Sequence, residues 1–92
     1  DNPTLPVDYT VRPKILLVED NNDFRHYLQE ELRRHFVVFE ASDGEEGEAV
    51  ALQQKPDIII TDLMMPKMDG IELCKRIKHN IDVSHIPIIL LT

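Results

Sequence analysis

The sequence is short of several things at once. It has one cysteine, Cys74, so no internal disulfide can form; with no CxxC pair it reads as a reduced thiol of a cytosolic protein. No apolar run approaches the roughly 20 residues that cross a bilayer, so direct membrane insertion is not expected. The opening stretch DNPTLPVDYTVRP has neither a basic n-region nor an apolar h-region and does not read as a signal peptide. Basic residues are the minority, 10 against 17 acidic, giving a formal net charge of −7. That balance excludes the basic footprint that direct nucleic-acid binding needs, and leaves binding of a cation open. The four histidines, His26, His35, His79 and His85, show no HxxxH spacing, and no EF-hand spacing is present. There is no internal repeat and no low-complexity stretch.

What is present fits one small domain: 92 residues, 42% hydrophobic and 29% charged. A chain of this size buries only about 60–65% of the surface it exposes when unfolded, so its core is thin. Residues 1–13 hold Pro3, Pro6 and Pro13 without helical periodicity and read as a linker or tail. The domain is read over residues 14–92.

Within it, apolar runs alternate with amphipathic ones. KILLV (14–18) is a continuous apolar run suited to a strand covered on both faces. Phe24, Leu28, Leu32 and Phe36 then recur at helical spacing over 22–34. FVVFE (36–40) is a second strand, and Ser42-Asp43-Gly44 is a turn and cap before a helix over 45–54. Gly47 weakens that helix by about 1 kcal/mol, and its Glu45, Glu46 and Glu48 form a solvated face. DIIIT (57–61) is the third strand. A helix over 71–79 follows, with Ile71, Cys74 and Ile77 expected on its core face, and IPIILL (86–91) is the fourth strand. The β-α-β-α-β-α-β order implies an α/β fold, a doubly wound parallel sheet.

In such sheets ligands bind beyond the carboxyl ends of the strands. Glu19 and Asp20 follow the first strand, Asp62 the third, and Thr92 the fourth. If the first and third strands are neighbours, three carboxylates and a hydroxyl meet at one edge. Carboxylates that close repel each other unless one is protonated or a cation neutralises them. Oxygen-only ligands favour a hard ion, and one or two direct carboxylates with bound water suit Mg²⁺.

Three separated motifs, KILLVEDN (14–21), IIITDLMMPKMDG (58–70) and IPIILLT (86–92), resemble the receiver domain of two-component response regulators. The resemblance spans residues 14–92 and implies a flavodoxin-like sheet of strand order 2-1-3-4. It implies that Asp62 accepts a phosphoryl group from a histidine kinase or phosphotransfer domain. Asp20 and Asp62 would then bind Mg²⁺ directly, Glu19 largely through water, and the backbone carbonyl of Met64 would add a ligand. Thr92 would contact a phosphoryl oxygen and act as the switch, while Pro66 and Gly70 shape the loop after Asp62. Met64, Met65 and Met68 are expected to pack that loop.

A full receiver continues with another helix, a fifth strand bearing an essential lysine, and a final helix; these lie beyond Thr92. Lys67, inside the loop, is not a substitute for that lysine. The fourth strand of this piece is therefore expected to be an open apolar edge that favours self-association or strand exchange. A Pro-containing segment ahead of a receiver is similar to the join in hybrid sensor kinases, which would make this the cytoplasmic C-terminal receiver of a membrane-bound kinase. Two other functions compete. A Mg²⁺-dependent phosphohydrolase would use Asp62 as nucleophile, but such enzymes usually carry an aspartate two residues later, where this chain has Met64. A non-phosphorylated interaction module would show no Mg²⁺ dependence.

Overall fold

The structure, a computed structural model, describes residues 11–92; residues 1–10 of the expected linker lie outside the described residues. The elements are β1 (Lys14–Val18), α1 (Asn22–Leu32), β2 (Val37–Ala41), α2 (Gly44–Gln54), β3 (Ile58–Asp62), α3 (Gly70–Lys78) and β4 (Ile88–Leu91). The four strands form one parallel sheet in the order β2-β1-β3-β4. This is the doubly wound parallel sheet expected from the alternation of strands and helices, in the flavodoxin-like order that the resemblance implies.

β1 is central and covered on both faces. Ile15, Leu16, Leu17 and Val18 are each at most 1% exposed, which is why no polar residue interrupts the run. Leu16 and Val18 face the main core with Ile59, Leu73, Ile77, Val83 and Ile86. Side chains alternate across a strand, so Ile15 and Leu17 face the other layer, where α1 packs.

Hydrogen-bonding chemistry sets the element boundaries. β4 starts at Ile88 rather than residue 86. The Ile86 amide is committed to a turn with the Val83 carbonyl (3.0 Å), and Pro87 has no N–H; its carbonyl accepts from Ile59 N at 3.0 Å. β2 starts one residue later than the sequence suggests, because the Phe36 amide closes the end of α1 on Leu32 O at 3.0 Å. β3 runs through Asp62, which pairs with Leu91.

Each of the three helices among the described residues starts on a side-chain cap. Asn21 Oδ1 accepts from Phe24 N, Asp43 Oδ1 from Glu46 N and Asp69 Oδ1 from Glu72 N, each at 2.9 Å. Glu46 reaches back to the Ser42 amide at 2.8 Å, completing a reciprocal cap on α2.

Gly47, weak by propensity, has a packing role. A Cβ there would stand 3.0 Å from Val18 Cγ2 and 3.4 Å from Leu73 Cδ2, so the bare backbone lets α2 approach β1 and α3 closely. Gly44 makes a similar approach, since a Cβ there would overlap the Met68 carbonyl oxygen.

The core face of α3 differs from the sequence reading. Ile77 is fully buried as expected, but Leu73 is buried beside it, whereas Ile71 is 43% exposed and Cys74 is only half-buried. The helix begins with Gly70 pressed against the end of β3, and Leu73 and Ile77 join the core cluster. On α1 no residue is fully buried; Leu28 and Leu32 are half-buried and Phe24 is exposed. No helix among the described residues is long and apolar enough to cross a membrane.

Candidate functional site

β1 and β3 are parallel neighbours with Val18 opposite Thr61. The residues that follow them emerge at the same edge, so Glu19, Asp20 and Asp62 bring carboxylate oxygens within 4.8 Å of one another. These residues line an open cleft whose far wall includes Leu91 and Thr92. Glu19 is 3% exposed, Asp62 is half-buried and Asp20 faces solvent. The four side chains singled out in the sequence thus stand around one cleft.

Backbone contacts hold Asp62 in place. The Leu63 amide donates to Leu91 O at 3.0 Å, extending the β3–β4 ladder past the aspartate. Thr61, fully buried, donates its hydroxyl to Asp62 O at 3.0 Å. The Met64 amide donates to Asp62 Oδ1 at 3.4 Å. The loop then returns, and Gly70 N donates to Leu63 O at 2.9 Å. A side chain at Gly70 would overlap the Asp62 carbonyl oxygen, so only glycine admits this closure.

Within the loop Met68 is buried and Met65 packs on the core, while Met64 is 76% exposed rather than packed. Lys67 adopts φ 67° and points its ammonium at Asp43 Oδ2, 3.6 Å away, so its charge goes to the cap of α2.

Glu19 is gripped at three points. Its amide donates to Ala41 O at 3.0 Å and its carboxylate accepts from Asn21 N at 2.9 Å. Its carbonyl accepts from Arg25 Nη1 at 2.8 Å. Arg25 in turn pairs through Nε with Glu40 Oε1 at 3.1 Å. Arg25 and Glu40 escaped the sequence reading because their partners lie six and fifteen residues apart, across three elements.

Burial pushes the Glu19 carboxyl above its ordinary value of about 4.5, and the charges of Asp62 and Asp20 push the same way; the Asn21 amide opposes them. An acid whose pKa is raised by folding binds more protons in the folded state. Its ionisation therefore weakens the fold as pH rises above the ordinary carboxylate range, and the penalty is complete above the raised pKa. Glu19→Gln is accordingly expected to raise the melting temperature of the metal-free protein at pH 7, with the gain vanishing towards pH 4. Thermal melts in chelator across that range check it, and an equal gain at both ends would refute it.

The donor set fits a hard divalent cation. It is all oxygen, strongly anionic, and includes a buried carboxylate whose ionisation is penalised until a positive charge arrives.

Comparison with known proteins places the chain in a family. The sequence model of the response regulator receiver domain family matches residues 15–92. The chain is 42% identical over 78 residues to histidine kinase P4 of Formosa agariphila, covering 85% of this chain and 6% of the kinase. It is 42% identical over 93 residues to the probable transcriptional regulator ycf27 of Guillardia theta, covering 99% of this chain and 35% of the regulator. It therefore spans a small part of the length of these relatives. Among solved structures, the receiver domain of the Pseudomonas aeruginosa sensor histidine kinase PA1611 superposes with a TM-score of 0.85 at 31% identity. That match covers 89% of this chain and 68% of the other, whose active-site cleft coordinates a magnesium ion.

Proposed function

The chain belongs to the response regulator receiver domain family, and from that premise we propose that it is a phosphoacceptor switch with Asp62 as the acceptor. The observation that carries this reading is the gathering of Glu19, Asp20 and Asp62 within 4.8 Å at the carboxyl ends of β1 and β3. Residues 14–92 supply the receiver portion, and residues 1–13 are a linker or tail. The donor is a phosphohistidine on a histidine kinase or phosphotransfer domain, and the setting is cytoplasmic.

In the step itself, an Asp62 carboxylate oxygen attacks phosphorus in line. The O–P bond forms as the donor's N–P bond breaks, and the electron pair returns to the imidazole nitrogen, which takes up a proton. Asp20 and Asp62 would hold Mg²⁺ directly, Glu19 through water, and the Met64 carbonyl would complete the protein's share. Bound there, Mg²⁺ neutralises charge on the transferring phosphoryl oxygens. Rigid attachment of Asp62 to the β3–β4 ladder keeps its weak nucleophile aimed. Thr92, one residue past the partner of Asp62 in that ladder, would donate its hydroxyl to a phosphoryl oxygen and move when the acyl phosphate forms. This is a single self-modification, not turnover of a substrate.

The full receiver domain, given phosphoramidate and Mg²⁺, is expected to gain the mass of one phosphoryl group, and Asp62→Asn is expected to gain none. Equal gain by the asparagine variant would falsify the assignment. Steady release of phosphate from many esters per chain would instead favour a phosphohydrolase.

Among the described residues β4 pairs only with β3, and Ile89 and Leu90 on it remain substantially exposed. The 92-residue piece alone is expected to self-associate through that edge. Light scattering that gives one chain's mass at every workable concentration refutes this.

A further inference from the structure

Arg25 lies outside the acidic cleft, yet its contacts converge on it. Its guanidinium bridges two strand ends, donating from Nη1 to the Glu19 carbonyl at 2.8 Å and from Nε to the Glu40 carboxylate at 3.1 Å. Its own amide donates to Asn21 O at 2.8 Å, inside the first turn of α1. The Arg25 side chain is only 19% exposed, and its bond to the Glu19 carbonyl is partly sheltered from competing water, while the bond to Glu40 lies at the surface.

The Glu19 carbonyl belongs to the peptide joining Glu19 to Asp20. Holding that oxygen sets the plane of the peptide, and with it the direction in which the Asp20 backbone leaves β1. The Ala41–Glu19 bond anchors the other side of the same residue to β2. Without the guanidinium, the carbonyl at a strand end has no ladder partner on this side, and the peptide can turn.

We infer that Arg25, braced by Glu40, is a positioning residue that aims the Glu19–Asp20 pair at Asp62 and so tunes divalent-cation affinity. The inference rests on the reading of this cleft as a Mg²⁺ site.

Two other roles make different forecasts. If Arg25 acted only as a nearby positive charge, it would repel the cation, and its removal would tighten binding. If it only docked α1 on the sheet, its removal would lower stability and leave affinity unchanged. Positioning alone predicts weaker binding on removal. Lysine should recover part of the loss, since one ammonium can reach the carbonyl or Glu40 but lacks the planar fork that reaches both.

The test is Mg²⁺ titration by calorimetry on the full-length protein, with Asp20→Asn marking the signal that belongs to this cleft. Arg25→Met is expected to weaken binding by about 10- to 100-fold, the range found when groups orienting metal ligands are removed. Arg25→Lys is expected to fall between Arg25→Met and wild type. Glu40→Ala, which leaves Arg25 in place but unbraced, is expected to weaken binding severalfold and provides the measurement if Arg25→Met does not fold. Affinity equal to or tighter than wild type in Arg25→Met, or unchanged affinity in Glu40→Ala, overturns the inference while leaving the metal site standing. Wild-type binding retained by Asp20→Asn would instead overturn the metal site and this inference with it.

Discussion

Gly70→Ala is expected to lower the rate of Asp62 phosphorylation by about a hundredfold, the scale of effect that follows from displacing a reacting group by about 1 Å. The new Cβ would overlap the Asp62 carbonyl oxygen and stand 3.0 Å from Leu63 Cα. Both obstacles are main chain, so no side-chain rotation relieves them. Either α3 backs away from β3 or the end of β3 shifts, and the second moves the acceptor itself. The same overpacking is expected to cost about 1–3 kcal/mol of stability. Initial rates of mass gain with a small phosphodonor, together with urea unfolding, separate the two effects at a temperature where the variant is folded. A near-normal rate in the folded variant would show that α3 yields and that the Asp62 backbone does not depend on this contact.

Leu16→Ala is expected to destabilise the domain by about 2–5 kcal/mol, through lost transfer free energy and the cavity left behind. Leu16 has no exposed surface, lies on the central strand, and faces the cluster built from Val18, Ile59, Leu73 and Ile77. Its neighbours are held by strand pairing on both sides, Phe39 on β2 and Ile59 on β3, so the site cannot collapse easily. Domains of this size have about 5–14 kcal/mol in total at 0.05–0.15 kcal/mol per residue, so the change removes a large share. Denaturant unfolding midpoints measure it, and a loss below 1 kcal/mol would mean that the core repacks.

How far the sequence can be read depends on whether a residue's role is decided locally. The apolar run of β1 was legible because burial on both faces leaves no room for polar alternation, and that of β3 because Ile59 is buried between half-buried Ile58 and Ile60. The carboxylate cluster was legible because parallel strands deliver whatever follows them to one edge. The face of α3 was not. In a nine-residue helix, Ile77 can share a stripe with Ile71 and Cys74 or with Leu73 by spacing, and it is Leu73 that joins it in the core. The methionines were grouped by type, yet Met64 faces solvent while Met68 packs beneath α2, because the loop reverses between them. Arg25 lies off the Phe24, Leu28 and Leu32 stripe, where spacing alone assigns no partner. Its bonds to Glu19 and Glu40 exist only once α1 lies across the ends of β1 and β2.

The contact between Gly44 and Met68 carries a mechanical implication. The turn that follows Asp62 is seated on the first residue of α2 and clipped beside it by Lys67 and Asp43. Moving Met68 therefore changes the packing at the start of a neighbouring helix. A displacement beginning at the acceptor therefore has a steric route sideways to residues 43–46, independent of Thr92 and requiring no charge to relocate.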